Sequence, residues 1–171
     1  MARVLMVIAP VNFRDEEFEH PYRILSGRGH EVIVASTRRG TAIGMLGKRV
    51  EVQTTIEEVK PEDFEAVVVV GGTGSQRYLW DHSPLHSIVR HLYERGKVVA
   101  AICISPVVLA RAGIVKGKRV TVFPYQPAVN ALKQAGAIVE KQPVVVDGNL
   151  ITARDPKAAR AFGEAIAQAL S

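Results

Sequence analysis

One cysteine, Cys103, is the only thiol in this 171-residue chain. A single thiol closes no internal disulfide and builds no cysteine-based zinc cage, so neither device holds the fold together. Aromatic residues make up only 6% of the chain, too few for the stacking platforms that grip single-stranded nucleic acid. No stretch approaches the roughly eighteen consecutive apolar residues of a membrane span. The opening "MARVLMVIAPV" turns apolar too early to leave room for the charged leader of a signal peptide. These absences point to a cytoplasmic protein with no membrane partner.

What is present reads as a globular chain. Hydrophobic residues are 47% and charged residues 23%, a balance that disfavours disorder. The length suits one compact domain, residues 1–171. The net charge of +5 is spread over Arg38-Arg39, Lys48-Arg49, Lys116 to Arg119 and Lys157 to Arg160. No aromatic is interleaved with these clusters, so weak electrostatic attraction is expected rather than a specific nucleic-acid partner.

Apolar, β-branched runs recur at 3–9, 31–36, 66–70, 97–103, 119–123 and 143–153. Four are continuous rather than alternating, as strands buried on both faces of a parallel sheet must be. Helical patterns lie between them: 15–30, interrupted or kinked near Pro21, then 83–96 behind Ser83-Pro84, and a closing helix behind Asp155-Pro156. "VVVDGNLITA" reads as a hairpin turning at Asp147-Gly148, and 40–55 as a short β excursion. The alternation predicts a mainly parallel sheet covered by helices on both faces, an α/β/α sandwich. Ligand sites in such sheets lie beyond the carboxyl ends of the strands. Three strand ends carry unusual residues: the acidic run Asp15-Glu16-Glu17, the pair Gly71-Gly72, and Cys103.

"AICIS" (101–105) has the form of a nucleophile elbow, with small residues, Ala101 and Ser105, two positions either side of Cys103. A following helix starting at Pro106 would favour the thiolate. The same spacing also fits a buried structural cysteine. Gly71-Gly72 allows close backbone approach and offers N–H groups to an oxyanion, though a plain strand-to-loop turn needs the same glycines. "GGTG" is not a dinucleotide fingerprint, so no cofactor is expected. His82, His86 and His91 do not share a helical face suited to zinc, and no metal site is expected.

Taken together, "RVLMVIAPVNFRDEEFEHPYRIL", "GHEVIVAS", "VEVQTTIEEVKPEDFEAVVVVGG", "GKVVAAICISPVVLARAGIVKGKRVT" and "VVVDGNLITARDP" resemble the PfpI/DJ-one family of the class I glutamine amidotransferase-like superfamily. The resemblance covers nearly the whole chain. It implies a flavodoxin-like sandwich with a reactive cysteine on a strained elbow, in a homodimer or dimer-built oligomer. The family cysteine falls on Cys103 and the family glutamate, four residues before a proline, on Glu17. The oxyanion positions fall on the N–H groups of Gly72 and Ile104. Gly71 and Tyr125 are expected around the substrate. His20 is a candidate for the same pocket, with an oligomer face or solvent as its alternative place.

The departures from the family matter as much. Its peptidase-like branch has histidine after the cysteine, where this chain has Ile104. The supporting glutamate corresponds to Gln76, and a further histidine position is Phe123. Isoleucine shuttles no proton and glutamine orients no imidazolium. The resemblance therefore implies a cysteine-dependent enzyme acting on small reactive carbonyl or acyl substrates or their protein adducts, with Glu17 as acid/base. Its alternatives are a redox-sensing or chaperone-like stress protein using oxidation of Cys103, and an intracellular cysteine peptidase, which the missing histidine disfavours.

Overall fold

Val4 to Val7 and Ala66 to Val69 are buried without a break, as strands covered on both faces require. In the computed structural model, which describes residues 1–171, the strands are β1 (Arg3–Val7), β2 (Val11–Phe13), β3 (Glu31–Ser36), β4 (Gly40–Gly44), β5 (Arg49–Val52), β6 (Thr54–Thr55), β7 (Ala66–Val69), β8 (Val98–Ile102), β9 (Arg119–Val120), β10 (Ile138–Val139), β11 (Val144–Asp147) and β12 (Leu150–Ala153). The helices are α1 (Asp15–Gly27), α2 (Thr73–Tyr78), α3 (Ser83–Glu94), α4 (Pro106–Arg111), α5 (Gln126–Gln134) and α6 (Ala159–Leu170).

Seven strands form the central sheet in the order β11-β12-β8-β7-β1-β3-β6. All neighbours are parallel except β11 and β12, which form the terminal hairpin. Helices α1 and α6 pack on each other, and α3, α4 and α5 form a second group. This is the flavodoxin-like α/β sandwich. One apolar cluster runs through the sheet and both helical groups. No helix is long and apolar enough to cross a membrane.

Several expectations need correction. The segment 119–123 does not extend the central sheet. Only Arg119–Val120 is strand, paired with β10 in a separate two-stranded sheet. Its next donors are taken elsewhere: the Thr121 N–H donates to Thr152 Oγ1 at 2.9 Å and the Phe123 N–H to the Cys103 carbonyl at 2.8 Å. That diversion carries Phe123 and Tyr125 over the end of β8. Helix α1 runs through Pro21 without interruption. Pro21 sits against α6 at Gly163, where a side chain would meet the Pro21 Cα at 3.0 Å. Close helix packing there supports the turn that loses a backbone donor. The hairpin turns on Gly148-Asn149, since Asp147 still pairs with Leu150. Helices α2 and α5 form where no helix was expected. The β excursion at 40–55 is as expected: β4 and β5 join β2 in a three-stranded sheet, and its last two residues form β6 at the edge of the central sheet.

Candidate active site

The carboxyl ends of β1, β7 and β8 meet at one place. The chain leaves β8 through Cys103, whose φ of 67° is left-handed and strained for a residue with a side chain. Backbone bonds hold it there: the Cys103 N–H donates to the Ala153 carbonyl at 2.9 Å, and its carbonyl accepts from Phe123. Ser105, two residues on, is more than small. Its hydroxyl donates to the Val70 carbonyl at 2.7 Å and lies 2.7 Å from the Ser75 hydroxyl, which donates back to it. All three groups are buried. The Trp80 indole N–H donates to the Ile104 carbonyl at 2.9 Å. The elbow is thus tied to the glycine turn from below and to α2's end from the side.

Gly71 and Gly72 are required where they stand. A side chain on Gly71 would come within 2.5 Å of the Cys103 Cβ and collide with the Glu17 carboxyl. Gly72 has φ of 104°, and its missing Cβ faces the Asn12 carbonyl at 2.5 Å. The segment 12–14 is held there by the Arg14 N–H donating to the Gly71 carbonyl at 2.9 Å. The N–H groups of Gly72 and Ile104 have no backbone acceptor and both face the Cys103 sulfur.

Glu17 comes from the first turn of α1 and is fully buried. Neither carboxyl oxygen meets a partner in full hydrogen-bond geometry, although the Cys103 thiol and the Gly71 N–H lie on its side. Burial is the dominant effect and raises its pKa to about 8, with those two groups pulling the other way. Burial also pushes the Cys103 thiol up, and a charged Glu17 would push it further, while the Gly72 and Ile104 N–H groups oppose both. This differs from the thiolate-favouring helix end expected from sequence. Helix α4 has only six residues, too short a dipole to offset burial.

Above the sulfur opens a cavity of about 360 Å³, lined by Cys103, Ile104, Gly72, Gln76, Phe123 and Tyr125, with Arg14 and Met45 at its margin. Tyr125 donates its phenol proton to Gln76 Oε1 at 3.0 Å. Gly71 and Glu17 lie beneath this cavity rather than in its wall. His20 lines the neighbouring cavity instead. No group of three or more histidine, cysteine or carboxylate side chains comes together as a metal cage.

Sequence reasoning missed two groups. Asp15 is buried and accepts from the N–H groups of Leu46 and Lys48, both at 2.9 Å, so it fixes the β4–β5 turn that brings Met45 to the cavity. Its donors lie more than thirty residues away, and no local pattern announces them. The Ser75–Ser105 pair was equally hidden, because "GGTGSQ" reads as a loop.

A model of the DJ-1/PfpI family matches residues 2–169. This chain belongs to the DJ-1/PfpI family. Within that family, deglycase PfpI of Pyrococcus furiosus is 35% identical over 152 residues, 89% of this chain and 90% of the relative. An uncharacterised protein of Methanocaldococcus jannaschii is 52% identical over 169 residues, 99% of this chain and 82% of the relative. The crystal structure of a ThiJ/PfpI domain protein from Brachyspira murdochii superposes with a TM-score of 0.93 at 32% identity, covering 98% of this chain and 95% of that one.

Proposed function

We propose that this DJ-1/PfpI protein is a cysteine-dependent enzyme acting on small reactive carbonyl or acyl groups, free or as protein adducts, in the manner of a deglycase or glyoxalase. The observation that carries this reading is a strained Cys103 flanked by a carboxyl group without a full partner and by two unclaimed N–H groups. The deglycase named among its relatives supports the same chemistry.

The reactive species is the Cys103–Glu17 pair holding one proton. As sulfur adds to the carbonyl carbon, the S–C bond forms and the C=O π pair moves to oxygen. The Gly72 and Ile104 N–H groups hydrogen-bond that oxygen. Glu17 takes the thiol proton and returns it to the hemithioacetal oxygen, so no outside acid is needed. With Glu17 near pKa 8, the one-proton pair grows with pH, and turnover should rise towards a plateau above about pH 8. An unactivated amide would also need its amine protonated, and Ile104, Gln76 and Phe123 offer no imidazole for that.

The test follows methylglyoxal loss with wild type and Cys103→Ser. Loss with wild type alone supports the reading, and equal rates overturn it. A second reading is oxidation of Cys103 to a sulfinate held by protonated Glu17 and the two N–H groups. It is favoured if peroxide yields a single two-oxygen adduct on Cys103 while methylglyoxal is untouched. Met45, Phe123 and Tyr125 are partly exposed at the cavity rim, beside the more exposed Leu46. We read this rim as the face for a second copy of the chain, and Leu46→Asp should lower the solution mass if so.

A further inference from the structure

We propose that the cavity next to the thiol cavity is an anion subsite, selecting carbonyl substrates that carry a carboxylate or a phosphate. This rests on the reading of Cys103 as the group that adds to the carbonyl carbon. The second cavity, of about 550 Å³, shares Arg14, Phe123 and Pro156 with the first. A molecule with its reacting carbon at the sulfur therefore extends along this common wall into it. Methylglyoxal would bring no charge to it.

The two cavities differ in chemistry. Arg14 is the only basic or acidic side chain besides the thiol in the wall of the first, whereas the second gathers Arg14, Glu16, His20, Asp155, Lys157 and Arg160. Its two acids are already engaged. Glu16 accepts a two-pronged bond from Arg14, at 2.8 and 2.9 Å, which holds its carboxyl below the usual range. Asp155 caps the turn into α6 through the Ala158 N–H at 3.2 Å and pairs with Arg154 at 3.2 Å. Lys157 and Arg160 make no ion pair. The three cations of the cavity, Arg14, Lys157 and Arg160, thus exceed its two acids, one of which is also paired with Arg154 outside the lining, and His20 adds a further ring nitrogen. An anion entering here meets unspent positive charge in a cavity that shares the wall of Arg14, Phe123 and Pro156 with the thiol cavity. Because Lys157 and Arg160 are exposed, the effect should be several-fold and should fade with salt.

The first measurement needs no turnover. Iodoacetate and iodoacetamide present the same reacting carbon and leaving group, and only one carries a charge. At low ionic strength the iodoacetate-to-iodoacetamide rate ratio at Cys103 should exceed that of N-acetylcysteine by roughly threefold to tenfold. In Lys157→Glu/Arg160→Glu it should fall to the N-acetylcysteine ratio or below. A wild-type ratio equal to that of N-acetylcysteine, or one unmoved in the variant, overturns the proposal. Using a ratio cancels any general change in the thiol.

The second measurement identifies the anion through reversible hemithioacetal formation, read as protection of Cys103 from iodoacetamide. Glyceraldehyde 3-phosphate is compared with glyceraldehyde, and glyoxylate with glyoxal. Tighter protection by the phosphate alone, by the carboxylate alone, or by both supports the subsite and names its ligand. Equal protection within both pairs overturns it. Should no aldehyde protect at all, carbonyl addition fails as the function, while the alkylation ratio still decides the subsite.

Discussion

Asp15 and Glu17 stand two residues apart in the first turn of α1, both buried, and the structure treats them in opposite ways. Asp15 accepts two backbone N–H bonds from the β4–β5 turn. Glu17 is more deeply buried, has neither oxygen in full hydrogen-bond geometry, and its pKa is raised to about 8. A carboxylate whose lone pairs are filled by backbone donors organises the chain. One left short of partners beside a thiol stays close to protonation and remains free to exchange a proton. Unmet hydrogen-bonding capacity costs stability, and its persistence at Glu17 supports the acid/base role proposed for it.

The largest effect should come from breaking that role. Glu17→Gln keeps the shape and a hydrogen-bond donor but cannot move a proton. Carbonyl turnover should fall by about 10²- to 10⁴-fold, while peroxide still oxidises Cys103. Wild-type turnover in this variant would remove Glu17 as the acid/base.

The same substitution should raise stability, by an amount that grows across a defined pH window. The folded pKa of about 8 lies above the ordinary value of 4.5, so between these pH values the unfolded chain binds fewer protons than the folded one. Wild-type stability therefore falls as pH rises from about 4.5 to 8. Glu17→Gln escapes that loss and should gain on the order of 3 kcal/mol at pH 7, with the gain vanishing near pH 4.5. Urea titrations of both proteins across this range measure it. A pH-independent difference would mean that Glu17 does not titrate in the folded state as described.

Asp15→Asn should do the reverse. An amide accepts at one atom only and turns two N–H donors towards the Leu46 or Lys48 N–H. The expected loss is about 1–3 kcal/mol. Because Met45 rides on the turn that Asp15 fixes, KM should rise more than kcat falls. A variant as stable as wild type would show that the two bonds contribute nothing net.

Much of this arrangement was legible in the sequence for physical reasons. β1, β7 and β8 are short apolar runs, and burial on both faces leaves no other pattern for them. Cys103, the glycine pair and the acidic run Asp15-Glu16-Glu17 stand after strand ends, where α/β sheets place their sites, and the family resemblance picks Glu17 out of that run. What escaped depended on distant partners. Helix α2 begins in "GGTG", which has poor helix propensity, and forms because Gly74 packs against the segment around Val11 and Asn12. Helix α5 does carry a signal, Ala128 and Leu132 four apart on its buried side, but it is a short one. The direction of the Cys103 shift is not legible in the sequence, where a helix end is visible but the depth of burial is not.

The smallest effect should come from adding a third carboxylate at the cavity rim. Gln76, which the family resemblance matches to a glutamate of the peptidase-like branch, is exposed and accepts the Tyr125 hydroxyl proton. Gln76→Glu places its charge in solvent, where water and salt screen it. Unlike Glu17 it would not be forced towards protonation, and unlike Asp15 it would meet no backbone donor. A carboxylate in a Cys–His–Glu arrangement acts by orienting an imidazole, and Ile104 provides none. Methylglyoxal turnover should change by less than about threefold, and cleavage of an aminoacyl-coumarin peptide should stay at background. Peptide cleavage that appears in Gln76→Glu and disappears with Cys103→Ser would show that another imidazole reaches the site. His20, in the adjoining cavity, would then be the first to replace.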